Sequence, residues 1–434
     1  MKKYFTCNDI EKSLYIAPNE IRSCCQRFFH KGKIRGDAKL IKIKEGKTPT
    51  IKDLVEARKK ILDEIQNDKN EDCLGCPFIT SQEKKPKATG NVSHLSIEHH
   101  SVCNLRCNYC SEVYWGGKKS KYNVVDFITY LSKGRALDKC DQVVWGGGEP
   151  TLDKSFEQIF ENIHKYASPN IYHRVFTNSV RYSDTVEKFL KKGLIKITTS
   201  IDAGTPETFK FVRGRPKFLN VFENLSRYAK VDPKKIIIKY IFTEDNKEES
   251  ELDSFVKNCL VHELQNCNYQ ISVNYKKENF DLKFLKSILY LFSKLNNSNI
   301  KKVFIDDHIM LRFSSLNLKE EKEIIEYLKS KNSSDIILNP DEIKNLIVFG
   351  AGKIATEIVK KTNFFRKIEN FDLVDSDINK VGKKILNSEI KSPQILKNDS
   401  RKIFIASAEC YDEIHNYIKN LKGNTNSILN GIII

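Results

Sequence analysis

Between Leu95 and Ile305 short apolar runs alternate with amphipathic stretches, and that alternation constrains the fold more than any other feature of the chain. The runs fall at Leu95 to His99, Gln142 to Trp145, Tyr172 to Thr177, Ile195 to Ser200, Lys235 to Ile241 and Gln270 to Tyr275, with a further one at Val303 to Ile305. Helix-period patterns fill the gaps at Val124 to Leu131, Phe156 to Tyr166, Asp184 to Lys191, Pro206 to Arg213, Phe218 to Ala229 and Glu248 to Leu260. Strands separated by helices cannot close as hairpins, so each needs a crossover, which makes a parallel sheet with helices outside. The predicted class is therefore α/β. Chemistry in such folds gathers at the carboxyl ends of the strands. Thr177-Asn178, Ser200-Ile201-Asp202 and Lys239-Tyr240 are polar residues near those ends.

The first run leads into Cys103-Asn-Leu-Arg-Cys107-Asn-Tyr-Cys110. Three thiols in one short loop can converge on a single centre, and soft thiolates select iron-sulfur clusters or zinc. A structural zinc wants four ligands, whereas three fill three corners of a cubane and leave one iron open. The second run leads into Gly146-Gly147-Gly148-Glu149-Pro150.

With Tyr109 before the last cysteine and Gly147, Gly148 and Glu149 after the next strand, the segment resembles the radical S-adenosylmethionine (SAM) superfamily. The resemblance implies a partial (β/α)6 barrel over residues 91–312 and a [4Fe-4S] cluster on Cys103, Cys107 and Cys110. It implies SAM bound at the open iron and cleaved reductively to a 5'-deoxyadenosyl radical that abstracts hydrogen from a substrate. Gly147, Gly148 and Glu149 are then expected at the SAM ammonium, with the glycines giving backbone carbonyls room to approach. Ser200, Asp202 and Arg213 resemble positions that meet the SAM ribose and carboxylate, and Asn178 joins them as a candidate. The residues themselves leave another reading open: Ser and Asp at a strand-helix junction are often caps, and an Arg ending a helix favours its dipole.

Residues 1–90 carry a second cysteine set: Cys7, Cys24, Cys25, Cys73 and Cys76. Leu14 to Ala17 reads as a strand turning at Pro18-Asn19, Ile21 to Cys25 as its partner, and Ile51 to Ile65 as an amphipathic helix. Four thiolates there suit a second [4Fe-4S] cluster or a zinc, with buried free thiols as the remaining option. The set resembles the auxiliary-cluster module related to the SPASM domain, as a small Cys-rich α+β unit, although such modules usually follow the radical core. One of Cys24 and Cys25 is surplus, and adjacent strand residues point to opposite faces. Ser81 to Gly90 reads as a linker.

Residues 313–340 read as a helical linker, with Leu318 to Leu328 as its connector. From residue 341 to 434 a third unit follows. Asn345 to Phe349 runs into Gly350-Ala-Gly352 and a helix containing Ala355, and the next strand ends on Asp375. Lys402 to Ala406, a helix from Glu409 to Leu421 and a final apolar strand complete it. The glycine turn suits a phosphate at a helix start and the acid suits a ribose. The unit resembles small Rossmann-like parallel-sheet domains of surface-sugar enzymes, where Gly350, Gly352 and Asp375 hold a nucleotide sugar; alternatively it keeps the fold and binds nothing.

The 434 residues carry a net charge of +17, but lysines are scattered through every region instead of forming a basic arm, which argues for a solvated surface over a nucleic-acid site. No apolar run is long enough to span a bilayer and no signal peptide opens the chain, so a cytoplasmic location is expected, where twelve cysteines serve as ligands or buried thiols. Cys140, Cys259, Cys267 and Cys410 read as buried small hydrophobes, and His94, His99 and His100 as histidines without an acidic partner nearby in sequence. The expected function is a radical SAM enzyme acting on a nucleotide-activated sugar or related metabolite in surface-glycan biosynthesis, reduced by flavodoxin or ferredoxin. A peptide-modifying maturase, a nucleic-acid modifier and a non-catalytic iron-sulfur redox or binding protein are the alternatives. Substrate, bond changed, fate of SAM and oligomeric state are not fixed by sequence.

Overall fold

The computed structural model describes residues 3–111, 115–168, 171–274, 276, 281–300, 302–385, 388–407 and 410–434. It divides into two compact units. Met1–Ile201, Pro206–Ile237 and His262–Leu264 form the first, and Asp202–Thr205, Ile238–Val261 and Gln265–Ile434 the second. Among the described residues no helix is long and apolar enough to cross a membrane.

The first unit is built on seven strands: β2 (Ser13–Ile16), β3 (Glu20–Arg22), β6 (Lys39–Lys42), β8 (His94–Ile97), β9 (Gln142–Trp145), β10 (Tyr172–Phe176) and β11 (Ile195–Ser200), in the order β6-β3-β2-β8-β9-β10-β11. Strands β8 to β11 are parallel, as the crossover pattern requires. Between them run α3 (Val124–Lys133), α4 (Phe156–Tyr166) and α5 (Asp184–Lys191). On α4 the residues Phe156, Ile159, Phe160 and Ile163 recur at helical spacing and are buried. They define the helix side of the sheet: Trp145 stacks edge-on to Phe156, and its Nε1 donates to His173 Nδ1 at 2.8 Å. Residues alternating with these therefore face the other side.

The N-terminal region is not a separate layer. β2 pairs in parallel with β8, Ser13 beside His94 through Ile16 beside Ile97, and β3 and β6 extend the same sheet. The boundary expected at residue 90 thus crosses a continuous sheet. β1 (Tyr4–Thr6) pairs with β7 (Thr80–Gln82), so the stretch expected as a linker starts as a strand, and β4 (Arg27–His30) and β5 (Lys33–Gly36) form a hairpin that alternation did not reveal. The helix α2 (Ile51–Gln66) opens with a Thr50–Asp53 capping box. Its buried Arg58 donates to the carbonyls of Thr89 at 2.7 Å, Asn91 at 2.8 Å and Ser13 at 3.0 Å, fastening the end of the expected linker.

In the second unit β12 (Ile236–Phe242, its first two residues in the first unit), β13 (Asn268–Val273) and β14 (Val303–Ile305) are neighbours in that order. The helix after β12, Glu249–Val261, agrees with the expected Glu248 to Leu260. The helix Leu282–Asn297 was not expected. It is buried over most of its length, from Phe284 and Leu285 to Phe292 and Leu295, with Lys283 and Lys294 on its more exposed side. Helix Leu318–Ser330 is capped by Asn317. A second sheet follows with strand order Lys384–Ile385, Ser388–Lys391, Asn370–Val374, Asn345–Phe349 and Lys402–Ile405, the last four parallel. The apolar C-terminus forms no strand. Ile432 makes a single bridge to Ile337. Tyr275 and Glu409, expected as strand and helix ends, lie outside the described residues.

Candidate active site

Cys103, Cys107 and Cys110 lie in the loop after β8. The loop is fixed from the end of helix Pro206–Arg213: Arg106 N–H donates to Arg213 O at 3.0 Å and Asn108 N–H to Val212 O at 2.9 Å. Cys110 N–H donates to Cys107 O at 3.1 Å, and Leu105 plugs the core. Leu105 N–H at 3.5 Å and Asn178 Nδ2 at 3.6 Å both point at Cys103 Sγ. The buried Arg213 donates to the Tyr109 hydroxyl. Burial raises the Cys103 thiol, and burial followed by the charge of Cys107 pushes Cys110 up to about 11.

The glycine turn after β9 is zipped to the strand-to-loop passage in front of these cysteines. Gly148 N–H donates to His100 O at 2.9 Å and Glu149 N–H to Val102 O at 2.8 Å. Gly147 has φ +86°, and a Cβ there would stand 2.8 Å from His100 O; one on Gly148 would stand 2.2 Å from Val102 O. These glycines are therefore required by protein packing, a different reason from the approach of a ligand expected above. Glu149 is also spoken for. Its carboxylate accepts from Thr151 N and Oγ1 (3.2 and 2.7 Å), Thr177 Oγ1 (2.8 Å) and Asn178 N (2.6 Å), fully buried, and burial raises its pKa against these donors. It joins the end of β9 to the end of β10 and leaves the ligand-facing role to others.

Asn178 bridges further, donating to Asn104 Oδ1 at 2.6 Å beside Cys103. Ser200 ends β11 half-buried. Asp202, in the second unit, is fully buried at φ +61°; its Oδ1 accepts from Ile241 N at 2.7 Å and its carbonyl from Asn246 Nδ2 at 2.9 Å. Through Oδ1 Asp202 fastens its segment to the backbone of β12.

Two arrangements, His99 with Asp153 and Arg22 with Glu98, were missed because their partners are far apart in sequence. His99 does have an acid: its Nε2 lies 2.9 Å from Asp153 Oδ2, and His99, His100 and Asp153 form a trio of possible ligand atoms within 4.8 Å of one another. Burial would raise Asp153, but the hydrogen bond and charge of His99 and the Ser155 donors outweigh it and hold it at about 2. Arg22 on β3, buried, reaches Glu98 Oε2 at 3.0 Å and Asp37 Oδ1 at 3.1 Å. On β10 the Arg174 guanidinium lies 4.9 Å from the centroid of Phe176.

Residues 97–256 match the Radical SAM superfamily. The chain carries a radical SAM domain. Over 166 residues it is 32% identical to the GTP 3',8-cyclase of Actinobacillus succinogenes, covering 38% of this chain and 48% of that one. Over 165 residues it is 28% identical to the GTP 3',8-cyclase of Haemophilus influenzae, with the same coverages. The chain thus spans about half the length of the curated relatives it matches. A crystal structure of Streptococcus suis SuiB bound to S-adenosylmethionine aligns at a TM-score of 0.42 and 15% identity, over 63% of this chain and 60% of that one.

N-terminal to the matched segment, Cys7, Cys24, Cys73 and Cys76 line one pocket with Phe28 and Phe78. Cys25 lies outside that lining, exposed, and is hydrogen-bonded to the Tyr15 hydroxyl. The expected strand Ile21 to Cys25 ends at Arg22, and in the loop that follows Cys24 is buried and Cys25 exposed. Burial pushes Cys7 up to about 11 and Cys73 to about 12.

In the C-terminal sheet Gly350 has φ +103° and turns the chain as expected. Asp375 does not stand open for a ribose. Its Oδ2 accepts from Ala351 N at 2.9 Å and pairs with Lys380 Nζ at 2.9 Å, so the acid closes the glycine turn from within. Gly352 caps the following helix without a side-chain bond.

Proposed function

We propose that this protein is a radical SAM enzyme whose reactive centre is held by Cys103, Cys107 and Cys110. The observation that carries the reading is the three-thiol loop braced by Asn178 and Arg213 inside the segment that matches the superfamily. The donor set fits. Three half-buried thiols suit a [4Fe-4S] cluster with one open iron, and no three of the chain's described sulfurs lie within 4.8 Å of one another, whereas a four-sulfur zinc tetrahedron has edges of roughly 3.8 Å. When bound, the cluster and SAM supply a 5'-deoxyadenosyl radical able to take hydrogen from an unactivated carbon.

The chain's own residues do the rest of the work. Asn178 aims an amide N–H at a ligand sulfur, and such bonds raise the reduction potential of a cluster. Arg213 brings a fixed positive charge to the loop and suits the carboxylate of SAM. Glu149 holds the ends of β9 and β10 in one geometry, so the loop and the glycine turn move as a unit. Cys7, Cys24, Cys73 and Cys76 hold a second iron-sulfur group in this reading, with an external donor such as flavodoxin or ferredoxin supplying electrons.

The substrate is a small molecule in this reading. The relatives reported above are named for a reaction of GTP, and the sugar-nucleotide expectation is not carried forward. The test is 5'-deoxyadenosine release by anaerobically reconstituted, dithionite-reduced protein beside Cys107→Ala. Release abolished by the substitution supports the reading; no release from a protein with its iron intact leaves a redox or binding protein instead.

A further inference from the structure

The strand registers put the chain's two cysteine sets at opposite ends of one sheet. Ser13 on β2 pairs with His94 on β8, His94 with Gln142 on β9, and Gln142 with Tyr172 on β10, which draws a line across the amino ends of the parallel strands. The N-terminal cysteines lie at or below this line. Cys7 is the N-cap residue of the short helix Asn8–Lys12, which runs directly into Ser13. β3 descends antiparallel to β2, with Ile21 beside Ile16 and Arg22 beside Tyr15, and Ser23 stays paired to Ala38 O, so Cys24 comes level with Ser13. Cys73 and Cys76 share a pocket with them. The radical loop stands at the other end. Asn178, whose Nδ2 reaches Cys103 Sγ at 3.6 Å, lies six residues beyond Tyr172. At about 3.3 Å per residue the two sets are roughly 20 Å apart along the strands alone.

In barrels of parallel strands the carboxyl ends carry chemistry and the amino ends carry stability. The N-terminal flank needs that stability, because its parts are small. β1 with β7 and β4 with β5 are two-stranded ribbons, which do not hold by themselves in water. The buried cluster beneath them includes three of the four pocket thiols, Cys7, Cys24 and Cys73, beside Ile61, Leu62 and Ile65 of α2. Each ribbon is tied to the Cys73–Cys76 turn or to the helix before it. Gly36 N–H, at the end of the β4–β5 hairpin, donates to Asp72 O at 3.0 Å, and Arg35 Nη1 to Glu71 O at 2.6 Å. Gly75 has φ +75°, and a Cβ on it would stand 2.0 Å from His30 Nδ1, so the hairpin packs directly against the turn. Phe5 N–H on β1 donates to Gln66 Oε1 at the end of α2, at 2.8 Å. The thiols are shut in: Cys7, Cys24 and Cys73 are buried and Cys76 half-buried. Burial, followed by the charges of Cys24, Cys76 and Cys7, holds Cys73 up at about 12, as sulfurs that face one another do.

We propose that Cys7, Cys24, Cys73 and Cys76 close around a structural iron-sulfur group, which binds the start of β2, the exit of β3 and the exit of α2 into one body and never meets the molecule held at the radical loop. Four thiolates complete the ligand shell of such a group and leave no position for a substrate. The separation along the strands puts the group out of reach in any case. Loading the site fixes β2, and β2 is the strand that covers the flank of β8. The proposal rests on the reading above for the iron in both sites and for the place of the radical centre; the folding role is its own.

Two measurements test it, and neither is turnover. In the full chain carrying Cys107→Ala the radical loop has lost a ligand, so anaerobic loading with iron and sulfide fills the N-terminal site alone. Hydrogen exchange followed by mass spectrometry is compared before and after loading. Amides in residues 4–42 and 61–82 should exchange at least about 10-fold more slowly in the loaded protein, while those of strand Asn345–Phe349 stay unchanged. Adding Cys7→Ser should remove the difference. In the wild-type chain with both groups reduced, pulsed electron paramagnetic resonance should read a spacing of roughly 20 Å or more. Equal exchange with and without iron overturns the folding role, and a strongly coupled spectrum from two neighbouring clusters overturns the separation. Protection on loading without 5'-deoxyadenosine release from the wild-type chain keeps the structural group and removes the radical chemistry, whereas release without protection does the reverse.

Discussion

Asn178 Nδ2 lies 3.6 Å from Cys103 Sγ, on a side chain also anchored to Asn104. A donor on a cluster sulfur stabilises the reduced form. Asn178→Ala removes about 1 kcal/mol of that preference, which for one electron is a fall of roughly 40 mV in midpoint potential. A redox titration followed by electron paramagnetic resonance reads it, and an unchanged potential would discard the role.

The two adjacent N-terminal cysteines should behave unequally. Cys24→Ala removes a pocket-lining thiol and should cut iron by about four atoms per chain, the content of one [4Fe-4S] cluster. Cys25→Ala should leave the iron count unchanged, because its thiol sits outside the pocket with Tyr15. Equal losses from both would place the ligand set wrongly.

Iron loading should depend on pH. Burial holds Cys7 and Cys110 near 11 and Cys73 near 12 in the iron-free protein, so these thiols are protonated at neutral pH and must lose protons to bind metal. Ferrous half-saturation should shift to lower concentration between pH 7 and pH 9. A midpoint that stays flat over that range counts against it.

His100 sets a stability slope of its own. Burial, then the neighbouring charge of His99, lowers its pKa to about 4 from 6.5. Between those values the unfolded chain binds a proton that the folded chain refuses, so stability is full above about pH 6.5 and falls as the pH drops toward 4, by roughly 3 kcal/mol in all. His100→Asn keeps an acceptor for Val102 N–H and removes the titration. Urea unfolding at pH 7 and pH 5 should show the wild-type loss and a smaller one in the variant.

Glu149→Gln should destabilise by about 2–4 kcal/mol, since an amide in place of the carboxylate sets N–H against N–H or leaves a buried donor unpaired. The denaturation midpoint reads this directly. A shift near zero would mean that the four donors have other partners.

Much of the radical SAM domain was legible because its signals are local. The strands at Gln142, Ile195 and Val303, and the helices at Phe156, Asp184 and Pro206, have the bounds that periodicity predicts. The cysteine loop and glycine turn announce themselves by spacing. What the pattern hid depends on residues far apart: Asp153 beneath His99, Arg22 beneath Glu98, and the backbone and hydroxyl donors that meet Glu149 and Asp202. A carboxylate at a strand end looks the same in sequence whether it faces a cofactor or a backbone N–H.

The insertion of β2 alongside β8 has a consequence for anyone shortening the chain. A fragment beginning at residue 91 retains every radical SAM motif, yet it bares one flank of β8, a row of backbone donors and acceptors with nothing to receive them. Such a fragment would recruit the missing strand from whatever chain lies nearest, most often another copy of itself, so its failure to stay monodisperse would report a lost neighbour and say nothing about the chemistry.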